Sequence, residues 1–566
     1  MPTRNFYFRP TTAFLLAAAA SIIGCGDRGL GPDGPSDLTA PSLIVTAPHR
    51  ATLSTGGGWI RVEGVATDRE SGLHRVEVNG IPATVSADGS FMATVPLTAG
   101  TLLLHTVAFD ADGNRATDTR SVLSGSFVAL DTPVDRAFAA AVSADGFASI
   151  ADVAESKINQ TDLGAAVQSL NPVFEKGFTC LRAALEIADI DTSAVRIQLV
   201  PHAGGLRLEA EIDNLDVPMD IPFELACANG DATARLRASR FSIAADLDVG
   251  IRSGQFTVEI GAGQAWFEGF LLDVAFVPGD VLNLIYDDID NVVANVLVGQ
   301  VESIVGPKLR DALNGLAAGK AIELLGSTIV VQISPEAISF ADAGAHVSLN
   351  ASMEARRVPD SGLGYLSTPE ALPELTPATT PGLSVAMADD AGNQLLSGLW
   401  ASGALDQTLP LGGGEYGEVG VLFDAVHLSA LLPPVLRATD QGLSVVLGDL
   451  LCAFEKDGLA STTVIINASA DLAVTSHPDG TLSLTLGDPV VHADFEAAIG
   501  ANALADQEVE TLAAFVGTRA LTVLGSMVGH VPVPAIGGVA LEDLAIDLGQ
   551  THPGYLVLGG RLSDAP

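Results

Sequence analysis

The stretch NLIYDDIDNVVANVLVGQVESIVGPKLRDALNGL, residues 283–316, decides the fold of this chain. Its apolar positions Ile285, Ile289, Val292, Val293, Val296, Val301, Ile304, Val305, Leu309, Ala312, Leu313 and Leu316 recur at helical spacing. The spacing predicts one long amphipathic helix, kinked at Pro307. Its polar face is not basic, so covering the apolar face of a curved sheet fits it better than a bundle seam or lying on a membrane. The neighbouring segments supply such a sheet. GGLRLEAEID places Leu206, Leu208, Ala210 and Ile212 on one face, and FTVEIG does the same with Phe256, Val258 and Ile260.

Upstream, residues 41–125 break into short alternating runs such as WIRVEGVATD, HRVEVNGIPATV and LLLHTVAFDADGN, separated by turn residues. Strands at this spacing predict a β-sandwich, with Asn79-Gly80 and Asp112-Gly113-Asn114 at hairpin turns. The order of these runs resembles bacterial immunoglobulin-like modules. Asp110, Asp112 and Asn114 could be taken as calcium ligands, but the loop lacks the glycine and terminal glutamate of an EF-hand, which favours a turn.

The first residues carry Arg4 and Arg9, an apolar run over residues 13–23, and then Gly24-Cys25. Such a run suits a secretory signal and is too short for a comfortable membrane span. Ile22-Ile23-Gly24-Cys25 resembles a bacterial lipobox, which implies acylation of Cys25 and a membrane anchor; an ordinary signal peptide that contains a cysteine is the alternative. Gly26 stands where an aspartate would signal retention at the inner membrane, which favours the outer one.

Composition excludes other classes. With 566 residues, 48% hydrophobic and 17% charged, the chain can bury several cores. A formal net charge of −40 argues against nucleic acid or anionic headgroups as electrostatic partners. The sequence holds no G-x-S-x-G elbow, H-E-x-x-H pair, P-loop or zinc-spaced cysteine pair, so no catalytic residue, metal or cofactor is assigned. His105 and His427 interrupt apolar strands and suit hydrogen-bonded strand positions better than ligands, and Asp287, Asp288 and Asp290 suit the exposed side of the long helix.

Strands wrapped on a long helix, presented twice, resemble the bactericidal/permeability-increasing protein family of tubular lipid-binding proteins. The resemblance covers residues 130–566 and rests on element order: helix, strands, long helix, linker, helix, strands, long helix, strand. It places a first helix at NPVFEKGFTCLRAAL and a proline connector carrying Pro359, Pro369, Pro373, Pro377 and Pro381. A short second-half helix follows at Asp389-Asp390, and a second long helix at QEVETLAAFVGTRALTVLGSMVG. It implies a disulfide between Cys180 and Cys227, which would close a loop of roughly fifty residues and stabilise by about 4 kcal/mol on the chain-entropy account. Two buried thiols are the alternative.

The expected fold class is α+β: an immunoglobulin-like β-sandwich followed by two tandem barrel-like domains, each a highly curved antiparallel sheet wrapped on a long helix. The expected divisions are 1–24 signal, 25–40 tether, 41–125 sandwich, 126–357 first lipid-binding domain, 358–382 linker and 383–566 second domain. What the resemblance implies is binding of phospholipid, fatty acid or another amphiphile without chemistry, by an exported protein anchored through Cys25. Candidate slot residues are Ile289, Val292, Val293, Val296, Val301, Ile304, Val305 and Leu309, with Leu395 and Leu399 in the second half. The alternative is a surface adhesion or assembly protein, in which the sandwich binds a protein or glycan partner and the barrels are filled scaffold.

Overall fold

The computed structural model describes residues 37–564 apart from 262, 318, 356–362, 369–372, 374, 378–381, 413–416, 477–481 and 497–538. Cys25 and the second long helix expected at 507–529 lie outside the described residues. So does most of the proline-rich segment, although Tyr365–Ser367 within it forms a strand paired with Ser126–Val128.

Residues 42–124 form a β-sandwich. Ser42–Ala47, Gly58–Thr67, Ser90–Leu97 and Thr84–Val85 make one sheet; Thr52–Ser54, Arg115–Ser124, Gly100–Asp110, Leu73–Val78 and Ile81–Pro82 make the other. Alternation puts Val45, Val62, Val76, Val78, Phe91, Val95, Leu104 and Val122 into a core of its own between them. Asn79 and Gly80 have φ of 51° and 76°, the left-handed pair that a two-residue hairpin between Val78 and Ile81 requires.

The first half is a curled sheet built on two very long strands. Gly205–Leu225 and Ala228–Arg252 pair antiparallel from Leu206↔Leu247 to Leu225↔Ala228, a ribbon of about 70 Å at ~3.3 Å per residue. Helix Ala144–Asn159 and helix Ile289–Leu316 fill its concave side, joined to it in one apolar cluster. The first helix has its signal in the sequence: Ser143 caps it by accepting from Gly146 N, with Asp145 in the first turn and Lys157 in the last. The second buries Ile289, Val293, Leu297, Val301, Val305 and Leu309, a stripe at every fourth residue.

Two expectations are corrected. Residues 283–316 are not one helix: Gly279–Ile285 is a separate short helix, and the break falls at Tyr286-Asp287-Asp288, where Asp288 opens the long helix and its carbonyl accepts from Val292 N. NPVFEKGFTCLRAAL is not helical either. It forms the hairpin Phe174–Phe178 and Leu181–Ile187, because Ala183, Leu185 and Ile187 bury at a period of two in the main core while the strand pairs with Gly205–Leu225.

The two halves share a sheet. Its order is Lys320–Leu324, Ser327–Ala341, Gly344–Ala355, Val134–Ser143, Leu383–Ala388, Tyr555–Asp564, Val539–Asp547. Val134–Ser143 pairs with Gly344–Ala355 on one side and with Leu383–Ala388 on the other. Its sequence VDRAFAAAVS suits a central strand, since Phe138, Ala140 and Val142 enter one core while Ala139 and Ala141 enter another. A further sheet of the second half runs Gln407–Pro410, Ala425–Ala430, Gly442–Lys456, Leu459–Ser476, Leu482–Leu486, with Val435–Thr439 and Val490–Glu496 pairing off it.

Helix Asp389–Ala401 is the hub between these layers, which explains a helix among strands. Gln394 Oε1 accepts from Met353 N at 2.7 Å, and its Nε2 donates to Leu130 O and Thr132 O at 3.1 and 2.9 Å. Asn393 exchanges two hydrogen bonds with the backbone of Leu436, and Asp389 Oδ2 accepts from Ala438 N. Each buried amide satisfies backbone groups of a different layer.

Candidate functional site

The long helix buries one stripe, and its neighbouring flank borders an open groove. Val292, Asn295, Val296, Gly299 and Gln300 follow each other at i, i+3, i+4, i+7 and i+8 and so stand on one side of the helix. Leu170 and Val173 form the facing wall, and the groove has a volume of about 330 Å³. The wall is fixed by Asn171, whose side chain donates to Ile187 O at 2.8 Å and accepts from Ile187 N at 2.9 Å. Among the described residues no ionisable side chain lines the groove; Asn295 and Gln300 are its polar members.

Gly299 lies near the middle of the helix, where glycine costs about 1 kcal/mol relative to alanine. A Cβ there would meet no atom within 4 Å. No packing within the described residues therefore requires the glycine; its effect is to deepen the groove.

Near the helix start, Lys176 Nζ lies 2.6 Å from Asp288 Oδ2 and ties the strand Phe174–Phe178 to the helix. Cys180 and Cys227 are joined by a disulfide. Both stand in turns rather than in a helix, at φ of 67° and 65°, so the bond clamps two adjacent hairpin ends. Cys452 is a separate buried thiol, its pKa pushed up by burial.

Of the candidate slot residues, the structure brings only Val292 and Val296 to the groove. Ile289, Val293, Val301, Val305, Leu309, Leu395 and Leu399 are fully buried in the main core, and Ile304 packs against it half-buried. Periodicity alone places neighbours such as Val292 and Val293 together; which flank is open depends on where the wall at 170–173 stops.

A second built site, not foreseen from sequence, lies where the sandwich meets the second half. Arg50 Nη1 donates to Thr119 O at 2.7 Å and to Asp449 Oδ1 at 3.2 Å, while Nη2 lies 3.4 Å from Asp494 Oδ2 and 3.6 Å from Asp118 Oδ2. Asp449 Oδ2 accepts from Ala51 N, Ser121 N and Ser121 Oγ at 2.7, 3.1 and 2.6 Å. Asn467 donates to Thr119 O and Asp449 Oδ1. Asp449 is wholly buried and sits at φ 45°, in a bulge of its strand. At the preceding Gly448 a Cβ would lie 2.6 Å from Ser121 Cβ, so the strands approach closely there.

His105 donates to or accepts from Thr119 Oγ1 and stacks on His492 with ring centroids 4.4 Å apart. Burial lowers the pKa of both rings, and the His492 and Arg115 charges lower that of His105 further. Burial pushes the Asp494 carboxyl up to about 6 against the pull of Thr119 N–H and Arg50. His427 is an exposed strand histidine bonded to Thr408 and Glu455.

Asp110 accepts from Gly113 N, Asn114 N and Asn114 Nδ2, the bonds of a turn. Asp37 and Asp68, which sequence reading left out, bring carboxylate oxygens within 4.8 Å of it. No described helix is long and apolar enough to cross a membrane.

Residues 41–125 match the family described as "Glucodextranase, domain B". No curated protein matches the chain. Among solved structures, lipopolysaccharide binding protein overlays with a TM-score of 0.41 at 14% identity, covering 76% of this chain and 100% of that one. P47 of Clostridium botulinum E1 overlays with a TM-score of 0.26 at 9% identity, over 76% of this chain and 100% of that one. P47 from Clostridium botulinum A2 gives 0.23 at 8%, over 76% and 99%.

Proposed function

We propose that this chain is a lipid-anchored envelope protein that binds amphiphiles, and passes them on, without catalysing a reaction. The observation that carries the reading is the groove on the long helix, apolar at Leu170, Val173, Val292 and Val296 and open over Gly299. Burying an acyl chain along such a wall is worth about 0.8 kcal/mol per methylene, and 330 Å³ falls at the low end of small-molecule sites. Acylated Cys25 would hold the protein at the outer membrane, with residues 26–40 as tether.

Vesicles carrying radiolabelled phospholipid, fatty acid and monoacylglycerol, each assayed separately, test it. The purified chain should extract label, and Val296→Trp, which fills the groove from a half-buried position, should abolish extraction while leaving the fold intact. A wild-type chain that extracts none of the three sinks the reading.

A second reading has an observation of its own. On the outer face of the first sandwich sheet, Trp59, Ile44, Val65 and Met92 are 70%, 60%, 40% and 38% exposed. An adhesion role would use that face toward a protein or glycan, and Ile44→Lys with Met92→Lys would then abolish attachment without changing lipid extraction.

A further inference from the structure

The chemistry of the groove narrows its ligand. Resting on the carrier reading above, we propose that the groove takes one uncharged single-chain amphiphile of the monoacylglycerol or fatty-alcohol kind. Its chain lies over Gly299 against Val292, Val296, Leu170 and Val173, and its hydroxyl groups meet the side-chain amides of Asn295 and Gln300.

Three observations lead there. Among the described residues the lining has no cation, so a phosphate or carboxylate headgroup finds no counter-charge there. Along the helix the flanking charges are acidic, Asp288 and Asp290 before the groove and Glu302 after it, and the cation bound at this end, Lys176, is already paired with Asp288. An anionic head would therefore lose hydration without compensation. Neutral amides, by contrast, both donate to and accept from a hydroxyl.

The volume of about 330 Å³ suits one chain rather than the two of a phospholipid. Gly299 is what leaves room for it, because any side chain at that position projects into space that no described residue fills. Gly299 is thus the specificity-determining position, and the amides are positioning contacts for the head.

The test uses the full chain and three soluble probes with the same ten-carbon tail: 1-monodecanoylglycerol, decanoate and decyl phosphate, titrated by calorimetry near neutral pH. The expected result is that the glycerol ester binds at least about tenfold more tightly than either anion. Gly299→Leu should abolish that binding while leaving the thermal midpoint unchanged or higher, since leucine is the better helix former. Asn295→Leu with Gln300→Leu should keep chain binding but weaken the glycerol ester selectively, so that its margin over the anions shrinks.

Anions that bind as well as the ester, or ester binding that survives Gly299→Leu in a folded chain, would overturn the proposal while leaving a carrier in place. A chain that binds none of the three probes and also takes up no lipid from vesicles would overturn both.

Discussion

Arg50 of the sandwich and Asp449 of the second half, 399 residues apart in sequence, meet at 3.2 Å with the Asp449 side chain fully shielded from water. The sandwich is therefore a docked part of the molecule, not a bead on a string. Around the pair, Leu123 of the sandwich packs on Leu366, Leu432 and Val435.

Removing Asp449 takes from Arg50 its fully buried partner but leaves it Asp118 and Asp494, so the loss falls toward the low end of the roughly 3–5 kcal/mol typical of a broken buried pair. Asp449→Ala also orphans Ala51 N and Ser121 N and places alanine at a positive φ. It is expected to release the sandwich, seen as a longer particle in small-angle scattering and as new protease cleavage near residue 125. Scattering identical to wild type would contradict the docking account.

The docking contacts titrate in opposite directions. His105 and His492 have pKa values lowered from the ordinary 6.5, so their contribution to docking is full above that value and fades as acid protonates them. Asp494 is raised from 3.8 to about 6, so the docked state holds a proton that the free one releases. Its contribution is present at low pH and lost as pH rises through about 6. Other charges facing these groups are Arg50, Arg115, Arg120, Asp118 and Asp449. Replacing both histidines by Gln should make docking tighten on acidification from neutrality to the Asp494 range. Asp494→Asn should make it loosen over the same interval. Scattering across the titration distinguishes the two.

Gln394 joins three backbone groups of the central sheet and the segment entering it. Gln394→Leu keeps the volume and leaves Met353 N, Leu130 O and Thr132 O without that partner, at about 1–3 kcal/mol for each group left buried and unsatisfied. Urea unfolding should show a loss of at least ~2 kcal/mol. A loss below ~0.5 kcal/mol would mean that water or another group takes over.

Cys25 carries the anchoring proposal. Palmitate labelling of the full chain in a bacterial host should mark the protein and vanish with Cys25→Ser, which should also leave it in the soluble fraction. Unlabelled wild-type chain would remove the anchor from the account.

The strands were legible because burial at a period of two shows directly in runs such as GLRLEAEID, and the core stripe of the long helix showed for the same reason at a period near four. The helix expected at NPVFEKGFTCLRAAL rests on the resemblance alone; in the fold its second part is extended because it pairs with Gly205–Leu225. Asp389-Asp390 looked like a helix N-terminus and is one, but its burial comes from layers far away in sequence. The Arg50–Asp449 pair and the wall at Leu170 and Val173 were invisible for that reason: each is made by tertiary proximity and has no local pattern.

The most direct measurement is native mass spectrometry of the gently purified full chain beside Val296→Trp. The account predicts one bound amphiphile per wild-type chain and none on the variant, with both folded. A well-folded wild-type protein that flies empty, and stays empty after incubation with vesicles, would contradict it.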